Sequence, residues 1–167
     1  GDPIDHSLSP KLHNYWLKKY NINGSYQGLN IKSENLTEFL EKFSLKGINI
    51  TIPHKESAYK IIKNIGEISD LAEKIGAINT LYQEDGKLYG TNTDYYGFKN
   101  NLLAKVKDFS FKDKKIGIIG AGGAARAIMA GLSTENISEI YIANRNIEKA
   151  EKLKTEFFKN AEIFSLE

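Results

Sequence analysis

Apolar positions along the chain change period several times, and each change marks an element. Leu12, Tyr15, Trp16 and Tyr20 fall on one face of a helix opened by Ser9-Pro10, with Ser9 as cap and Pro10 suited to the first helical position. Those aromatics are expected in the core. Asn23-Gly24 breaks the pattern, and residues 25–31 alternate as a strand does. Leu36, Phe39, Leu40 and Phe43 lie at i, i+3, i+4 and i+7, an amphipathic helix that Lys46-Gly47 ends. Residues 47–52 return to period two, with Ile48, Ile50 and Ile52 on one face and Asn49 and Thr51 on the other. Helices are predicted over 56–62 and 70–75, strands over 77–83 and 87–91 joined through Glu84-Asp85-Gly86, and a helix over 95–105. After a charged connector at 109–114 the rhythm is strand 115–119, helix 124–132, strand 139–143, helix 147–158 and a last short strand. That βαβαβ order implies a parallel sheet. The class is α/β, divided into residues 1–105 and 106–167.

Composition narrows the chemistry only a little. The 167 residues are 41% hydrophobic and 26% charged, ordinary for a globular chain. A formal net charge of +2 gives no argument for nucleic acid or a membrane surface as partner. Cysteine is absent, which excludes disulfides and thiolate metal sites, and no ligand spacing for a metal is visible. No stretch approaches the roughly 20 apolar residues of a membrane span, and no signal-peptide pattern opens the chain; the cytoplasm is the default location. Gly1 reads as the end of a strand that is not present, and the last predicted strand stops short of a complete dinucleotide-binding sheet. The chain is therefore expected to be a fragment.

The run Gly120-Ala121-Gly122-Gly123-Ala124-Ala125 follows an apolar strand and opens a helix. In that setting G-x-G-x-x-G/A points to a dinucleotide pyrophosphate. Gly120 allows the tight turn, Gly122 lets the backbone approach the phosphates, and Ala125 is small enough for helix and strand to pack closely. The phosphates would rest on the free N–H groups at the helix start. The next strand ends in Asn144-Arg145-Asn146, roughly 24 residues beyond Gly120, where the ribose contact is expected. A guanidinium there attracts a 2′-phosphate, whereas a carboxylate would repel it. Lys149 adds a second positive charge one turn on, and Arg126 is a weaker third candidate. The expected cofactor is NADP(H).

Residues 1–105 carry polar clusters at predicted strand ends. Ser7-Leu8-Ser9-Pro10 sets two hydroxyls before a helix, an anion site or simply a cap and a turn. Asn49, Thr51 and Lys55 bracket Pro53; Asn79-Thr80 and Thr91-Asn92-Thr93-Asp94 add amides, hydroxyls and one carboxylate. Such groups opposite a dinucleotide motif suit a polyol-like small molecule bearing a carboxylate. Asp94 also reads as the N-cap of the following helix. His6, His13 and His54 are assigned no catalytic part; His13 is expected to be a packed or hydrogen-bonded helix residue.

Taken together, Gly1-Asp2-Pro3-Ile4, Ser7-Leu8-Ser9-Pro10, His13-Asn14, Asn49 to Lys55, Gly76 to Thr80, Asn92-Thr93-Asp94 with Gly97-Phe98, Gly120 to Ala125 and Asn144-Arg145 resemble, in order and spacing, the shikimate dehydrogenase family. The resemblance implies a two-domain α/β enzyme, a substrate domain followed by a Rossmann-type cofactor domain. It would reduce 3-dehydroshikimate to shikimate with NADPH, on the way to chorismate and the aromatic amino acids. It implies that Ser7 and Ser9 hold the substrate carboxylate. Thr51, Asn79 and Asp94 would contact ring hydroxyls, with Asn49 near them, and Lys55 and Asp94 would form the catalytic pair. The chemistry is sound: a ketone receiving hydride develops negative charge on oxygen, which a positioned ammonium stabilises and protonates. Asn146 stands where such NADP sites usually carry Thr, and Lys149 where a second Arg is frequent. A monomer and a homodimer both remain open. So do an NAD-using quinate/shikimate dehydrogenase and a non-catalytic metabolite-binding module.

Overall fold

Two sheets, each with its own apolar core, are joined through one helix. The computed structural model describes all of residues 1–167. The first sheet holds β1 (Gly47–Asn49), β2 (Glu67–Ile68), β3 (Thr80–Glu84) and β4 (Lys87–Thr91) in the order β1-β3-β4-β2. β3 is antiparallel to both neighbours, and β2 runs parallel to β4. Asp85 and Gly86, at φ 48° and 77°, make the tight β3–β4 turn, whose left-handed residues match the twist of the strands. Helices α1 (Ser9–Lys19), α2 (Leu36–Glu41), α3 (Lys55–Ile65), α4 (Asp70–Ile75) and α5 (Asp94–Lys105) complete this part. Leu36 and Leu40 of α2, Ala58 and Ile62 of α3, and Ile78 and Leu81 around β3 form its core.

The second sheet is β5 (Lys115–Ile119), β6 (Glu139–Asn144) and β7 (Glu162–Ser165), all parallel, with α6 (Gly123–Leu132) and α7 (Ile147–Phe157) as crossovers. Met129, Leu132, Ile140, Ile142 and Leu153 are buried between sheet and helices. The parallel ladder predicted from the βαβαβ rhythm is present. No helix of the protein is long and apolar enough to cross a membrane.

Several local expectations differ from the structure. The α1 face bearing Leu12, Tyr15, Trp16 and Tyr20 is exposed, 46%, 59%, 42% and 62% respectively, and α1 buries no residue. Helical period reports that a face is apolar; it does not supply the element that covers it. Residues 25–31 form no ladder, because a strand needs a hydrogen-bonded neighbour. Here Tyr26 pairs with the Asn14 side chain, and Ile31 N–H reaches the Gly1 carbonyl at 3.2 Å. β1 stops at Asn49 and the chain turns, so Ile52 is 76% exposed rather than aligned with Ile48 and Ile50. β3 begins at Thr80, later than the predicted 77, and the short β2 was not foreseen.

The two parts meet on α6. Ala127 and Ala130 pack against Ile75 and Ala77 in a small buried cluster. Gly131 lies flush on the Tyr95 ring, so closely that a Cβ there would overlap the ring carbons. Tyr95 Oη donates to Glu135 Oε1 at 2.6 Å, and Lys99 Nζ donates to the same oxygen at 2.5 Å. The Lys99 hydrogen bond, then that of Tyr95, holds the Glu135 carboxyl below its ordinary value of 4.5. Burial, then Glu135, pushes the Tyr95 phenol well above its own.

Two outcomes are expected. Gly131→Ala lowers stability by about 1–3 kcal/mol through overpacking, read as a lower urea midpoint, while Gly117→Ala, whose Cβ meets nothing within 4 Å, costs clearly less. Because the Glu135 pKa is depressed on folding, its contribution is complete above the unfolded value and is lost as pH falls through the folded one. The stability gap between wild type and Glu135→Gln, measured by urea unfolding, should stay constant above about pH 5.5 and narrow as pH drops below about 4.5.

Candidate active site

Three chain segments converge at the open end of the first sheet. Beyond β1 the chain turns through Thr51 to His54, whose N–H donates to the Thr51 carbonyl at 2.9 Å. His54 is buried, with Nε2 2.6 Å from the Ile31 carbonyl oxygen. This turn delivers Lys55 as the first residue of α3. Its carbonyl accepts from Ile78 N–H at 3.0 Å, tying the start of α3 to the approach to β3. Asn79 precedes β3, and Asp94 follows β4 as the first residue of α5.

Lys55 Nζ donates to Asp94 Oδ2 at 2.8 Å, and both side chains are about 30% exposed. Asn79 Nδ2 donates to Asp94 Oδ1, also at 2.8 Å. Each carboxylate oxygen therefore has a donor, and the carboxylate is held by both. Asn79 Oδ1 in turn accepts from Thr93 N–H at 3.1 Å and Thr80 Oγ1 at 3.0 Å. Asp94 does not cap α5 as expected: its own N–H donates to Asn92 Oδ1 at 3.0 Å, and Thr93 holds the cap position without a side-chain bond. Asn92 is buried, and its Nδ2 donates to the Ala77 carbonyl at 3.1 Å. One ammonium proton of Lys55 serves Asp94; two remain for a bound molecule.

A cavity of about 1030 Å³ opens beside this cluster, and Ser7, Ser9, Asn49 and Thr51 line it. Lys55, Asn79 and Asp94 lie outside its wall. Asn49 connects the two: Nδ2 donates to Thr80 Oγ1 at 3.4 Å, while Oδ1 accepts from Tyr26 Oη at 2.9 Å. The Tyr26 ring stacks on His13 with centroids 4.3 Å apart. The expected cap at Ser9 is absent: α1 already includes Ser9, and Ser7 Oγ accepts the Ser9 N–H at 3.3 Å. Pro10 within the first turn fits as expected.

At the other sheet, Gly120 has φ 107° and its N–H donates to the Ala143 carbonyl at 2.8 Å, so the glycine turn lies against the end of β6. That contact sets Asn144-Arg145 beside the turn. The N–H groups of Gly123, Ala124 and Ala125 find no carbonyl partner, and no acidic residue sits in the first turn of α6. A Cβ on Gly122 or Gly123 would meet nothing within 4 Å. Open space over free N–H donors fits a pyrophosphate. Ala121 and Ala125 pack on the core beneath, as a small residue at that place allows. Arg145 and Lys149 are exposed. Asn146 Oδ1 accepts Lys149 N–H at 2.9 Å and caps α7, and Asn144 Nδ2 donates to the Asn146 carbonyl at 2.7 Å. Arg126 points elsewhere and is withdrawn as a phosphate candidate: Nε donates to the Ile75 carbonyl, Nη1 pairs with Glu156, and the guanidinium lies over Phe157.

The sequence comparisons bear on the family. A family profile described as the shikimate dehydrogenase substrate binding domain matches residues 1–81, and one described as shikimate / quinate 5-dehydrogenase matches residues 102–167. The chain belongs to the shikimate dehydrogenase family. A shikimate dehydrogenase (NADP(+)) of Brucella ovis is 40% identical over 160 residues, 94% of this chain and 54% of the relative. The chain thus spans about half the length of the curated relatives it matches. Among solved structures, the Thermus thermophilus shikimate 5-dehydrogenase with NADP(H) and shikimate superposes with a TM-score of 0.82. It is 34% identical, over 97% of this chain and 59% of that one. The Listeria monocytogenes shikimate 5-dehydrogenase, solved with shikimate and NAD, gives 0.86 at 32% identity over 98% and 58%.

Within this family frame, the network from Tyr26 through Asn49, Thr80 and Asn79 reaches Asp94 and Lys55 without a break. Sequence reasoning gives no part to Tyr26, and it places Thr80 and Asn92 in the polar clusters without a role of their own. Only the fold shows Asn92 buried, with its side chain joining the Ala77 carbonyl to the Asp94 N–H.

Proposed function

We propose that this chain carries the substrate cradle and the phosphate-reading elements of an NADP-dependent shikimate dehydrogenase, interconverting 3-dehydroshikimate and shikimate towards chorismate and aromatic amino acids. Residues 1–105 act as the substrate domain and 106–167 as part of the cofactor domain. The observation that carries the reading is the Lys55–Asp94 pair at 2.8 Å, with Asn79 on the second carboxylate oxygen. The names of the relatives and the ligands of the neighbouring structures support it.

NADPH, when bound, supplies the hydride. Gly122, Gly123, Ala124 and Ala125 would hold its pyrophosphate on backbone N–H groups, with Gly120 and Ala121 shaping the turn. Arg145, aided by Lys149, would take the 2′-phosphate, with Asn144 and the capping Asn146 framing the site. Ser7 and Ser9 would donate to the substrate carboxylate, and Asn49, Thr51 and Asn79 would fix the ring hydroxyls. Lys55 Nζ would donate to the carbonyl oxygen as it gains negative charge and would pass it a proton. Asp94 would hold the ammonium in line and accept from the neighbouring hydroxyl. A donor aimed where charge develops acts mainly on the transition state.

Lys55→Ala should therefore lower turnover of shikimate with NADP by at least about a thousandfold and change the shikimate KM by less than about tenfold. Turnover within tenfold of wild type removes Lys55 as proton donor. Arg145→Ala should raise the KM for NADP far more than that for NAD in the same spectrophotometric assay; an equal rise for both removes the 2′-phosphate role.

A further inference from the structure

Arg126 belongs to the cofactor helix, yet its side chain leaves that helix for the substrate half. Its backbone N–H donates to the Gly122 carbonyl at 2.9 Å, which closes the first turn of α6 directly behind the proposed phosphate cradle. Its Nε donates to the Ile75 carbonyl at 2.5 Å, at the C-terminal end of α4. Helix ends leave carbonyls without partners, and positive charge is favoured there. Gly76, at φ 71°, caps α4 by donating its N–H to the Ala72 and Glu73 carbonyls, so the outer Ile75 carbonyl is left for the guanidinium. The remaining guanidinium surface is taken by Glu156 and Phe157 of α7. The group is mostly buried, with 23% of its side chain exposed.

Downstream of Ile75 the chain runs straight into the proposed chemistry. The Ala77 carbonyl accepts from Asn92, whose Oδ1 holds the Asp94 N–H. The Ile78 N–H donates to the Lys55 carbonyl, and Asn79 holds the Asp94 carboxylate. The 75–79 segment is thus held at Ile75, Ala77, Ile78 and Asn79 by Arg126, Asn92, Lys55 and Asp94. One residue closes the turn that would carry the pyrophosphate and also pins the segment that orients the acid–base pair.

We propose that Arg126 is a positioning residue, setting the approach of the phosphate cradle to the Lys55–Asp94 pair through its bond to the Ile75 carbonyl. The role presumes the dehydrogenase reading above. Displacements of about 1 Å remote from reacting atoms can cost about a hundredfold in rate, so the effect belongs in kcat and not in cofactor affinity.

The test compares Arg126→Gln, Arg126→Lys and Glu156→Gln in the whole enzyme. Glu156→Gln removes the ion pair and leaves the Nε–H bond to Ile75 in place. Arg126→Gln should lower kcat about 10- to 100-fold, with the NADP and shikimate KM values and the NADP-to-NAD preference within about twofold of wild type. Arg126→Lys, which keeps the charge without the Nε geometry, should restore less than half of the loss. Glu156→Gln should lower the melting temperature and keep kcat within about twofold. In parallel, amide exchange at Ile78, Asn79 and Asp94 should quicken in Arg126→Gln and not in Glu156→Gln. Equal kcat losses in Arg126→Gln and Glu156→Gln, or a selective rise of the NADP KM, overturn the proposal. If the wild type does not turn over shikimate, the dehydrogenase reading fails by itself. Exchange then decides the positioning claim: unchanged rates in Arg126→Gln overturn it, and quickened rates sustain it.

Discussion

The packing of helix α6 against α4 and α5 is the constraint on which the arrangement depends. Its contact face is built from Ala127, Ala130 and Gly131, residues small enough for the helix backbone to come close to Ile75, Ala77 and Tyr95. Those three neighbours flank Asn79 and Asp94 in sequence. The helix that begins at the glycine turn is therefore seated directly on the segments that orient the acid–base pair. A larger side chain anywhere on this face would move the glycine turn away from Lys55 and Asp94.

Polar groups around the pair are held on the same plan. No buried side-chain nitrogen or oxygen lacks a partner, and most partners near Asp94 are neutral amides and hydroxyls rather than further charges. Such a lattice fixes geometry without adding a further charge beside the Lys55–Asp94 ion pair. Asn92 exemplifies it: one amide spends its donor on the Ala77 carbonyl and its acceptor on the Asp94 N–H, so the start of α5 is registered against the approach to β3.

What the sequence disclosed and withheld follows from how local each signal is. The strand–glycine turn–helix at 115–132 was legible because neighbouring residues dictate every part of it: apolar strand, positive φ at Gly120, free N–H groups at the start of α6. Lys55 and Asp94, 39 residues apart, were named from motif resemblance, and geometry then brought them to 2.8 Å. Tyr26 has no such motif and Asn92 carries no role of its own in its motif, since their meaning comes from partners 23 and 15 residues distant that no period encodes. The aromatic face of α1 and the alternation in 25–31 were read as core and strand because amphipathic pattern was taken for burial and pairing. Both require a neighbour, and a one-dimensional pattern does not supply one. Arg126 was misplaced for a related reason: its position in α6 suits a phosphate, and only the fold reveals that the C-terminus of α4 claims it first.

Tyr95 comes immediately after Asp94 and its ring lies flat on Gly131. A rotation of one sheet against the other that keeps this contact turns about a point one residue from the carboxylate. Travel grows with distance from a pivot, so atoms far from Tyr95 would swing widely while Asp94 stayed nearly still. Large relative motions of the two parts would then leave the Lys55–Asp94 pair in place.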